Sequence, residues 1–492
     1  MTAPPLEATI QARRVLLVSA AIAIFVALSH IAFLKLPFYW DELGQFVPAS
    51  LDLFHDGSWI PHSTIANVHP PGVMAYLAAV WSITGYSIAA TRLAMLALAA
   101  WGTVLTFRLA IRMGLQWNAA ILAAGFLATC PLFFAQSMMA ELDMPAMVFL
   151  MLALGLFLED RIPVAAFACT VLVMVKETGL VAPACFCVFL WLEGRRREAL
   201  WFLLPVAPLI IWLIALHRGT GHWFGNAAFT QYNLWYPLHP VRLTLALLRR
   251  LYYLFGGTGH WIGAVALVIA WRGTTLFRTR AWRIAGGLLV AHVLLVSVLG
   301  GAVLERYLVP VLPILYIAFA AAIWQLAPRW RIVSAVSLAA ALLVANFVNP
   351  PYPFPWENNL AFTDFVRLDA ETAQYLEARF PKARIAAMFP LASAYRRPVF
   401  GYVHHRLNIR EISDFRASTM APLAKEDVEL FVLYSETWDP IGLMRNATWT
   451  AFLRRYYDYE PPVDANQMLV LLGAQPVARW TRHGQWVEIY KR

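Results

Sequence analysis

Long apolar segments recur along most of the chain, and they constrain its fold more than any other feature. Between residues 15 and 346, these segments alternate with short stretches that hold most of the charges. A helix of about 20 apolar residues crosses the hydrocarbon core of a bilayer. Hydrophobic residues make up 60% of the chain and charged residues 14%, whereas soluble domains have roughly 45–50% and 25%. We therefore predict an α-helical polytopic membrane protein.

The apolar segments predict about eleven membrane spans of this kind. The third to sixth are shorter than the others, so we expect them to be kinked or to lean into protein. The spans cover residues 15–36, 89–110, 119–134, 144–158, 163–175, 179–192 and 200–216, followed by spans that end near residues 272, 304, 329 and 346.

Arginines mark the predicted cytoplasmic side. Cytoplasmic loops carry an excess of Lys and Arg. Arg13 and Arg14 precede the first span, and three consecutive arginines at 195–197 follow the sixth. These positions place the N-terminus in the cytoplasm. The net charge of +10 is therefore explained by topology, and we expect no nucleic-acid binding.

Residues 37–88 are predicted to form the first external loop. The loop is patchily apolar and rich in Trp, Tyr and Pro, which is typical of short juxtamembrane helices at a bilayer surface. Its run at residues 73–83 is too short to cross. Residues 1–349 then form the predicted membrane domain.

A small α/β domain is predicted for residues 350–492, beginning with a stiff proline-rich linker at 350–355. Because the eleventh span runs outward, we expect this domain on the periplasmic side. The predicted strands cover residues 384–389, 428–434 and 467–472, with a hairpin formed by 477–480 and 485–490, and a helix at 369–379.

The unusual polar residues emerge on the predicted external side. Each has an ordinary explanation as a helix cap, a local ion pair or an interfacial anchor. Independent accidents would divide between the two faces, so the shared side favours one functional site. The groups are Asp41 with Glu42, Glu141 with Asp143, Lys176 with Glu177, the histidines 217, 222 and 239, and Glu305 with Arg306.

Five short motifs, in their order along the chain, resemble a known family. They are FYWDE at 38–42, DGSW at 56–59, HPPG at 69–72, ELD at 141–143 and ERYLVP at 305–310. The chain resembles the GT-C fold of the protein O-mannosyltransferases and lipid A aminoarabinose transferases. The resemblance extends to the whole layout, from a cytoplasmic N-terminus to an external C-terminal domain.

This resemblance implies a membrane glycosyltransferase. Such an enzyme moves a sugar from a polyprenyl-phosphate donor to an acceptor at the periplasmic face, with inversion at the anomeric carbon. By resemblance, Asp41 is the general base that takes the proton of the acceptor hydroxyl. Glu42 would orient the acceptor or hold a cation, and Asp143 matches the second acidic site of the family.

The resemblance also implies which groups hold the donor phosphate. A departing phosphate needs positive charge and hydrogen-bond donors, which Lys176, Arg306 and Tyr307 supply. The aminoarabinose enzymes typically have Glu-Lys before the two prolines, whereas this chain has Val68-His69. His69 can still donate to phosphate, but the difference leaves metal dependence open.

Other polar residues are candidates for binding the acceptor or a metal: Glu141, Glu177, His217 and His222. A divalent ion, held by His69 and His222, is the one cofactor that the sequence leaves open.

The layout favours lipid A or another glycolipid as acceptor, with a Ser/Thr hydroxyl of a secreted protein as the alternative. We expect a monomer in the bacterial inner membrane, surrounded by membrane lipids.

Two other classes of function stay open. A lipid or solute transporter would keep its ionisable groups near the bilayer midplane, and an assembly subunit would use the external domain to bind a partner.

Overall fold

The computed structural model describes residues 6–353 and 356–492, with the backbone alone for residues 6–12. It divides into two units. The first comprises Met1–Leu34 and Ala49–Asn346, and the second comprises Lys35–Pro48 and Phe347–Arg492. Residues 35–48 thus group with the C-terminal part of the chain, whereas the sequence assigned 35–36 to the end of the first span and 37–48 to the first external loop.

Residues 6–344 form α-helices joined by turns, loops and short 3₁₀ or π-helical segments. One of the 3₁₀ segments is Glu305–Val311. The helices are α1 (Leu6–Ser29), α2 (Val47–Asp56), α3 (Gly72–Thr84), α4 (Ile88–Arg112), α5 (Trp117–Thr129), α6 (Pro131–Gln136), α7 (Asp143–Leu158), α8 (Ile162–Val175), α9 (Val181–Leu192), α10 (Arg196–Ala199), α11 (Val206–Thr220), α12 (Ala227–Thr230), α13 (Pro240–Phe255), α14 (His260–Gly273), α15 (Arg280–Val298), α16 (Leu312–Trp324) and α17 (Pro328–Val344).

Several helices have the length and composition of membrane spans, as predicted for a polytopic membrane protein. Five qualify among the described residues, and the pair α13 and α14, bent by 42°, adds a sixth if it counts as one span. The five are Arg13–Phe33, Ile88–Arg112, Arg196–Thr220, Arg280–Val298 and Glu305–Trp324. The total of eleven spans stays a prediction.

The predicted third to sixth spans are short helices. α5 has 13 residues, α7 has 16, α8 has 14 and α9 has 12. α7 is apolar on all sides, as expected for a helix surrounded by protein, and it is buried along nearly its whole length against α4 and α8. A Cβ on Gly102 of α4 would lie 2.3 Å from the Met147 Cε, so the two helices are in close contact.

The second unit is built around a five-stranded mixed sheet with the strand order β3-β2-β4-β7-β6. Strand β2 is parallel to β3 and β4, whereas β7 is antiparallel to β4 and β6. The strands are β1 (Tyr352–Pro353), β2 (Arg384–Met388), β3 (Asn408–Ile412), β4 (Leu430–Tyr434), β5 (Thr437–Trp438), β6 (Gln475–Arg482) and β7 (Gln485–Lys491). The helices are α18 (Phe362–Arg379), α19 (Leu391–Arg396), α20 (Ala417–Met420), α21 (Ala447–Tyr457) and α22 (Ala465–Leu472).

Two of the three predicted strands are confirmed as β2 and β4, and the predicted hairpin is β6 and β7. The strand predicted at 467–472 is wrong, because these residues belong to the helix α22. The side chains of Asp464 and Gln467 form a reciprocal capping box at its start, and Gly473 ends it in the left-handed conformation. A short apolar run is compatible with a strand or a helix, and here the capping residues at both ends favour the helix.

The predicted proline-rich linker is partly ordered in the second unit. Tyr352 is buried and stacks on Trp356 with ring centroids 4.4 Å apart. Strand β1 pairs with β5. Phe354 and Pro355, the end of the predicted linker, lie outside the described residues.

Aromatic contacts hold residues 35–48 in the second unit. Phe38 is completely buried, and its carbonyl accepts a 2.7 Å hydrogen bond from the Tyr402 hydroxyl. A Cβ on Gly44 would lie 2.7 Å from the Cε2 of Phe389, so the backbone passes close to that ring. The FYWDE motif is therefore positioned by the fold of this unit.

We predict that a buried carboxyl makes the second unit more stable at acidic pH. Asp369 in α18 is almost inaccessible to solvent, and burial raises its pKa well above the usual range. The folded state therefore binds this proton more tightly than the unfolded state does. Its stabilising effect is complete below the unfolded pKa of about 3.9 and is lost as pH rises towards the folded pKa.

Hydrogen exchange of α18 in the full-length protein, with labelling times corrected for pH, measures this effect. We expect stronger protection at pH 5 than at pH 8 in the natural protein, and a smaller difference between the two pH values in Asp369→Asn. The exposed Asp427 provides the control Asp427→Asn, which should keep the pH dependence. Equal protection of the natural protein at both pH values would contradict the prediction.

Candidate functional site

Five charged side chains are buried together in the first unit, and we call them the charged cluster. They come from the segment before α7, from the start of α7, from the residue after α8 and from the 3₁₀ helix Glu305–Val311. Burying a charge is costly unless it is paired, so such a cluster indicates a site that the fold maintains. Its members are Glu141, Asp143, Lys176, Glu305 and Arg306.

Ion pairs link four of the five members of the charged cluster. The Lys176 Nζ donates a 2.5 Å hydrogen bond to the Asp143 Oδ1. The Arg306 Nη1 lies 2.5 Å from the Glu141 Oε1, and its Nε lies 3.6 Å from the Asp143 Oδ2. Arg306 therefore bridges the two carboxylates of the ELD motif. The structure brings together four of the residues that the sequence proposed for catalysis, phosphate binding or acceptor binding.

Helix ends deliver these side chains to one place. Asp143 is the first residue of α7, where a carboxylate is favoured by the helix dipole. Lys176 follows the last residue of α8 with extended backbone, at φ −153°. Arg306 is the second residue of a 3₁₀ segment that packs against α7.

Tyr307 lies among three cations. The centroid of its ring is 4.5 Å from the Lys176 Nζ, 5.5 Å from the Arg250 Cζ and 5.8 Å from the Arg306 Cζ. The face of a phenol ring attracts cations. Attraction to the ring therefore offsets part of the repulsion between these three buried cations.

Arg249 and Arg250 of α13 also belong to this region, although the sequence motifs did not predict them as site residues. Arg249 forms a bidentate ion pair with Glu305, in which the Nη2–Oε2 distance is 2.8 Å. Arg250 is completely buried and donates from Nη1 to the Leu304 carbonyl. Its Nε and Nη2 have no hydrogen-bond partner among the residues that the structure describes. Arginines in a predicted external segment depart from the usual charge bias, and this departure was the available signal.

Arg92 was also missed, because it lies within the predicted second span. It is completely buried, and its Nη1 donates a 2.7 Å hydrogen bond to the Met138 carbonyl. This bond fixes the turn that leads to Glu141. An arginine within an apolar span usually has a specific role, so its position alone could have indicated it.

His69 and Glu177, both predicted site residues, form a pair in the first unit. The His69 Nδ1 shares a 2.8 Å hydrogen bond with the Glu177 Oε2. Gly72 makes this approach possible, because a Cβ there would lie only 2.4 Å from the Met174 carbonyl oxygen. The HPPG motif therefore packs against the end of α8, next to Lys176 in the chain.

His217 and His222, the two histidines proposed to bind the acceptor or a metal, are not part of the charged cluster. The His217 ring stacks on Trp223 with centroids 4.3 Å apart. His222 is exposed, and its backbone N–H donates to the Thr220 hydroxyl. Over the described ranges, neither imidazole forms an ion pair with a carboxylate.

One group of three residues has ligand atoms close enough to share a metal ion within the described part of the chain. The atoms of Asp52, Asp56 and His62 lie within 4.8 Å of one another. The His62 Nε2 is 2.7 Å from Asp56, and Asp52 accepts from the backbone N–H groups of His62 and Ser63. These bonds explain why the three side chains lie together, because they hold the loop that follows α2 in place. The predicted metal pair of His69 and His222 stays a prediction.

Asp41 and Glu42 belong to the second unit. Trp40 before them has a positive φ of 44°, which is uncommon for a bulky residue and often marks a functional constraint. Glu42 is completely buried and accepts a 2.9 Å hydrogen bond from the Tyr39 N–H. Asp41 is half-buried and precedes the π-helical turn Glu42–Phe46. The Glu42 carboxylate is therefore bonded within the fold, whereas the Asp41 side chain is more accessible to solvent.

No family model and no curated protein matches the chain. Among solved structures, ArnT from Cupriavidus metallidurans bound to undecaprenyl phosphate matches with a TM-score of 0.58 and 16% identity, over 96% of this chain and 97% of that chain. The same protein in the apo state matches with a TM-score of 0.56 and 14% identity, over 98% of each chain. The chain has the GT-C fold. Because the match covers nearly the whole length, it includes both units and confirms the fold class predicted from the motifs.

We predict that breaking the buried pair of Lys176 and Asp143 destabilises the first unit. Lys176→Met leaves the Asp143 carboxylate with Arg306 alone, at 3.6 Å. Removal of one partner of a buried pair costs about 3–5 kcal/mol, and the remaining arginine should keep the loss near the lower value. Thermal unfolding in detergent measures the change.

Adding Asp143→Leu to Lys176→Met removes the uncompensated charge, so the double variant should recover much of the lost stability. The control is Lys382→Met, because Lys382 is exposed in the second unit. A double variant that is less stable than Lys176→Met would contradict this reasoning.

Proposed function

We propose that the chain is a membrane glycosyltransferase that moves a sugar from a polyprenyl-phosphate donor to a lipid acceptor, with inversion. The observation that carries the proposal is the group of three buried cations around Tyr307, beside the carboxylates of the ELD motif. The GT-C fold supports it, since the solved ArnT structure that matches along the whole chain is described as bound to undecaprenyl phosphate.

The cations suit the charge change of this reaction. In the donor, the phosphate links the sugar to the polyprenyl chain and carries one negative charge. When the bond between the anomeric carbon and the phosphate oxygen breaks, the electron pair stays on that oxygen and the charge doubles. Preorganised cations in a buried site stabilise charge that develops in this way.

Lys176, Arg250, Arg306 and the Tyr307 hydroxyl are the proposed phosphate-binding groups. Two nitrogens of Arg250 lack a hydrogen-bond partner in the described structure, and a buried donor without a partner is costly. Phosphate oxygens would accept hydrogen bonds from these two nitrogens. Asp143 accepts a hydrogen bond from Lys176 and would hold the ammonium group in position for the phosphate.

Asp41 is the proposed general base. As the acceptor oxygen bonds to the anomeric carbon, the Asp41 carboxylate takes the hydroxyl proton. The strained backbone at Trp40 and the bond from Tyr39 to Glu42 would fix its orientation. Glu42 therefore supports the base through the backbone.

The remaining assignments follow from the charge distribution and the fold. The arginine pattern favours a cytoplasmic N-terminus and a periplasmic second unit. The inner membrane is then the location, and lipid A or another glycolipid is the proposed acceptor. His69, oriented by Glu177, would donate to phosphate in place of the lysine that the aminoarabinose enzymes typically have.

The decisive experiment presents the purified protein in lipid nanodiscs with a panel of polyprenyl-phosphate sugars, together with lipid A or a Ser/Thr peptide. Mass spectrometry identifies the donor consumed and the acceptor modified. Consumption with lipid A supports the proposal, and modification of the peptide alone makes the protein acceptor correct. The function is wrong if no donor is consumed.

We predict that Asp41→Asn lowers turnover by about 10²- to 10⁴-fold, the typical contribution of a general base. The amide cannot accept the proton, but the affinity for donor should stay unchanged because Asp41 is not among the phosphate-binding groups. Single-turnover kinetics and donor binding measure both effects. Unchanged turnover would exclude Asp41 as the base, and Asp427→Asn serves as a surface control.

We predict that Arg250→Met weakens binding of polyprenyl phosphate by about 10- to 100-fold, because a hydrogen bond to a charged group contributes about 1.5–3 kcal/mol. Equilibrium binding in nanodiscs measures it. Arg242→Met is the matched control on the same helix, since Arg242 lies over the Tyr236 ring at 3.6 Å. Equal affinities of the two variants would remove Arg250 from the phosphate site.

A further inference from the structure

An apolar groove lies between the N-terminal turns of α5 and α17, next to the end of α16. Its volume is about 400 Å³. Ile121 and Leu122 form one wall, and Ile332 and Ala335 form the other. None of its lining residues belongs to the charged cluster, so the groove is a separate feature of the first unit.

A guanidinium group is fixed at this groove. The Arg331 Cζ lies 4.6 Å from the centroid of the Trp324 ring. That ring is held by a 2.9 Å hydrogen bond from its Nε1 to the Gln116 Oε1. The Arg331 Nη2 donates to the Leu326 carbonyl at 3.3 Å, whereas its buried Nε has no partner among the described residues.

The surroundings of the groove are positive. Arg329 is exposed close by in the chain, and no carboxylate lies within 4.0 Å of either arginine in the part of the chain that the structure describes. The first turns of α5 and α17 add the positive ends of two helix dipoles. The groove residues themselves, which include Asn118 and Pro328, contain no acidic side chain.

We propose that this groove binds an anionic phospholipid. One acyl chain lies along the apolar walls, and the phosphate meets Arg331 and the two helix N-termini. Basic sites between membrane-spanning helices are suited to anionic headgroups. A free anion would gain nothing from the apolar walls, and the cation of a zwitterionic lipid would oppose Arg331. On the proposed topology, the site faces the cytoplasmic leaflet.

Native mass spectrometry of the full-length protein in detergent tests the proposal by titration with phosphatidylglycerol, phosphatidylcholine and inorganic phosphate. We expect phosphatidylglycerol to bind in preference to phosphatidylcholine. Arg331→Gln should weaken its binding about 5-fold, the effect of one basic residue at a lipid surface. Arg272→Gln, which removes an exposed arginine from the end of α14, should leave it unchanged.

A second variant tests the walls of the groove. Ala335→Phe fills the space for the acyl chain and keeps Arg331, so it should also weaken binding of phosphatidylglycerol. The proposal is overturned if the two phospholipids bind equally well, or if neither variant weakens the binding of phosphatidylglycerol. Displacement of the lipid by inorganic phosphate also overturns it. Neither Arg331 nor Ala335 belongs to the charged cluster, so a loss of lipid binding in these variants is distinguishable from a failure of the proposed transferase function.

Discussion

The first unit depends on pairing charges where helices end inside a buried environment. Lys176 cannot leave Asp143, and Arg306 cannot leave Glu141, without exposing a charge to surroundings that solvate it poorly. The ends of α7 and α8 and the segment of residues 305–311 are therefore fixed relative to one another. On the proposed function, the same pairs would also hold the cations in position for the donor phosphate. Stability and preorganisation thus arise from one network.

Much of this network could be predicted from the sequence, because charge is rare in the chain. Lys176 is one of only five lysines, and the acidic residues at 141 and 143 lie between two apolar segments. Their order along the chain indicated one face of the membrane. The partners within the network could not be predicted, since a side chain at a helix end can turn towards any of several neighbours.

Arg250 shows why part of the site could not be predicted from the sequence. It lies in an amphipathic segment, and such segments usually turn arginines towards headgroups or water. Here the bend between α13 and α14 accompanies a buried guanidinium that contacts the Leu304 carbonyl. Residues 35–48 present a similar case in the second unit, because the contact of Phe38 with Tyr402 joins positions far apart in the chain. Local patterns carry no information about such contacts.

The short helices have a consequence for the bilayer itself. α7 is shielded by protein, but α9 has only 12 residues and exposes Val188, Trp191 and Leu192. With the 3₁₀ turn Glu177–Leu180 that leads directly into it, the apolar helix covers residues 177–192. At 1.5 Å per residue it spans roughly 24 Å, which is below the hydrocarbon thickness of about 30 Å. The acyl chains beside it must compress or tilt to cover its apolar surface. Lipids with shorter tails would relieve that distortion, which links the conformation of this region to the local thickness of the membrane.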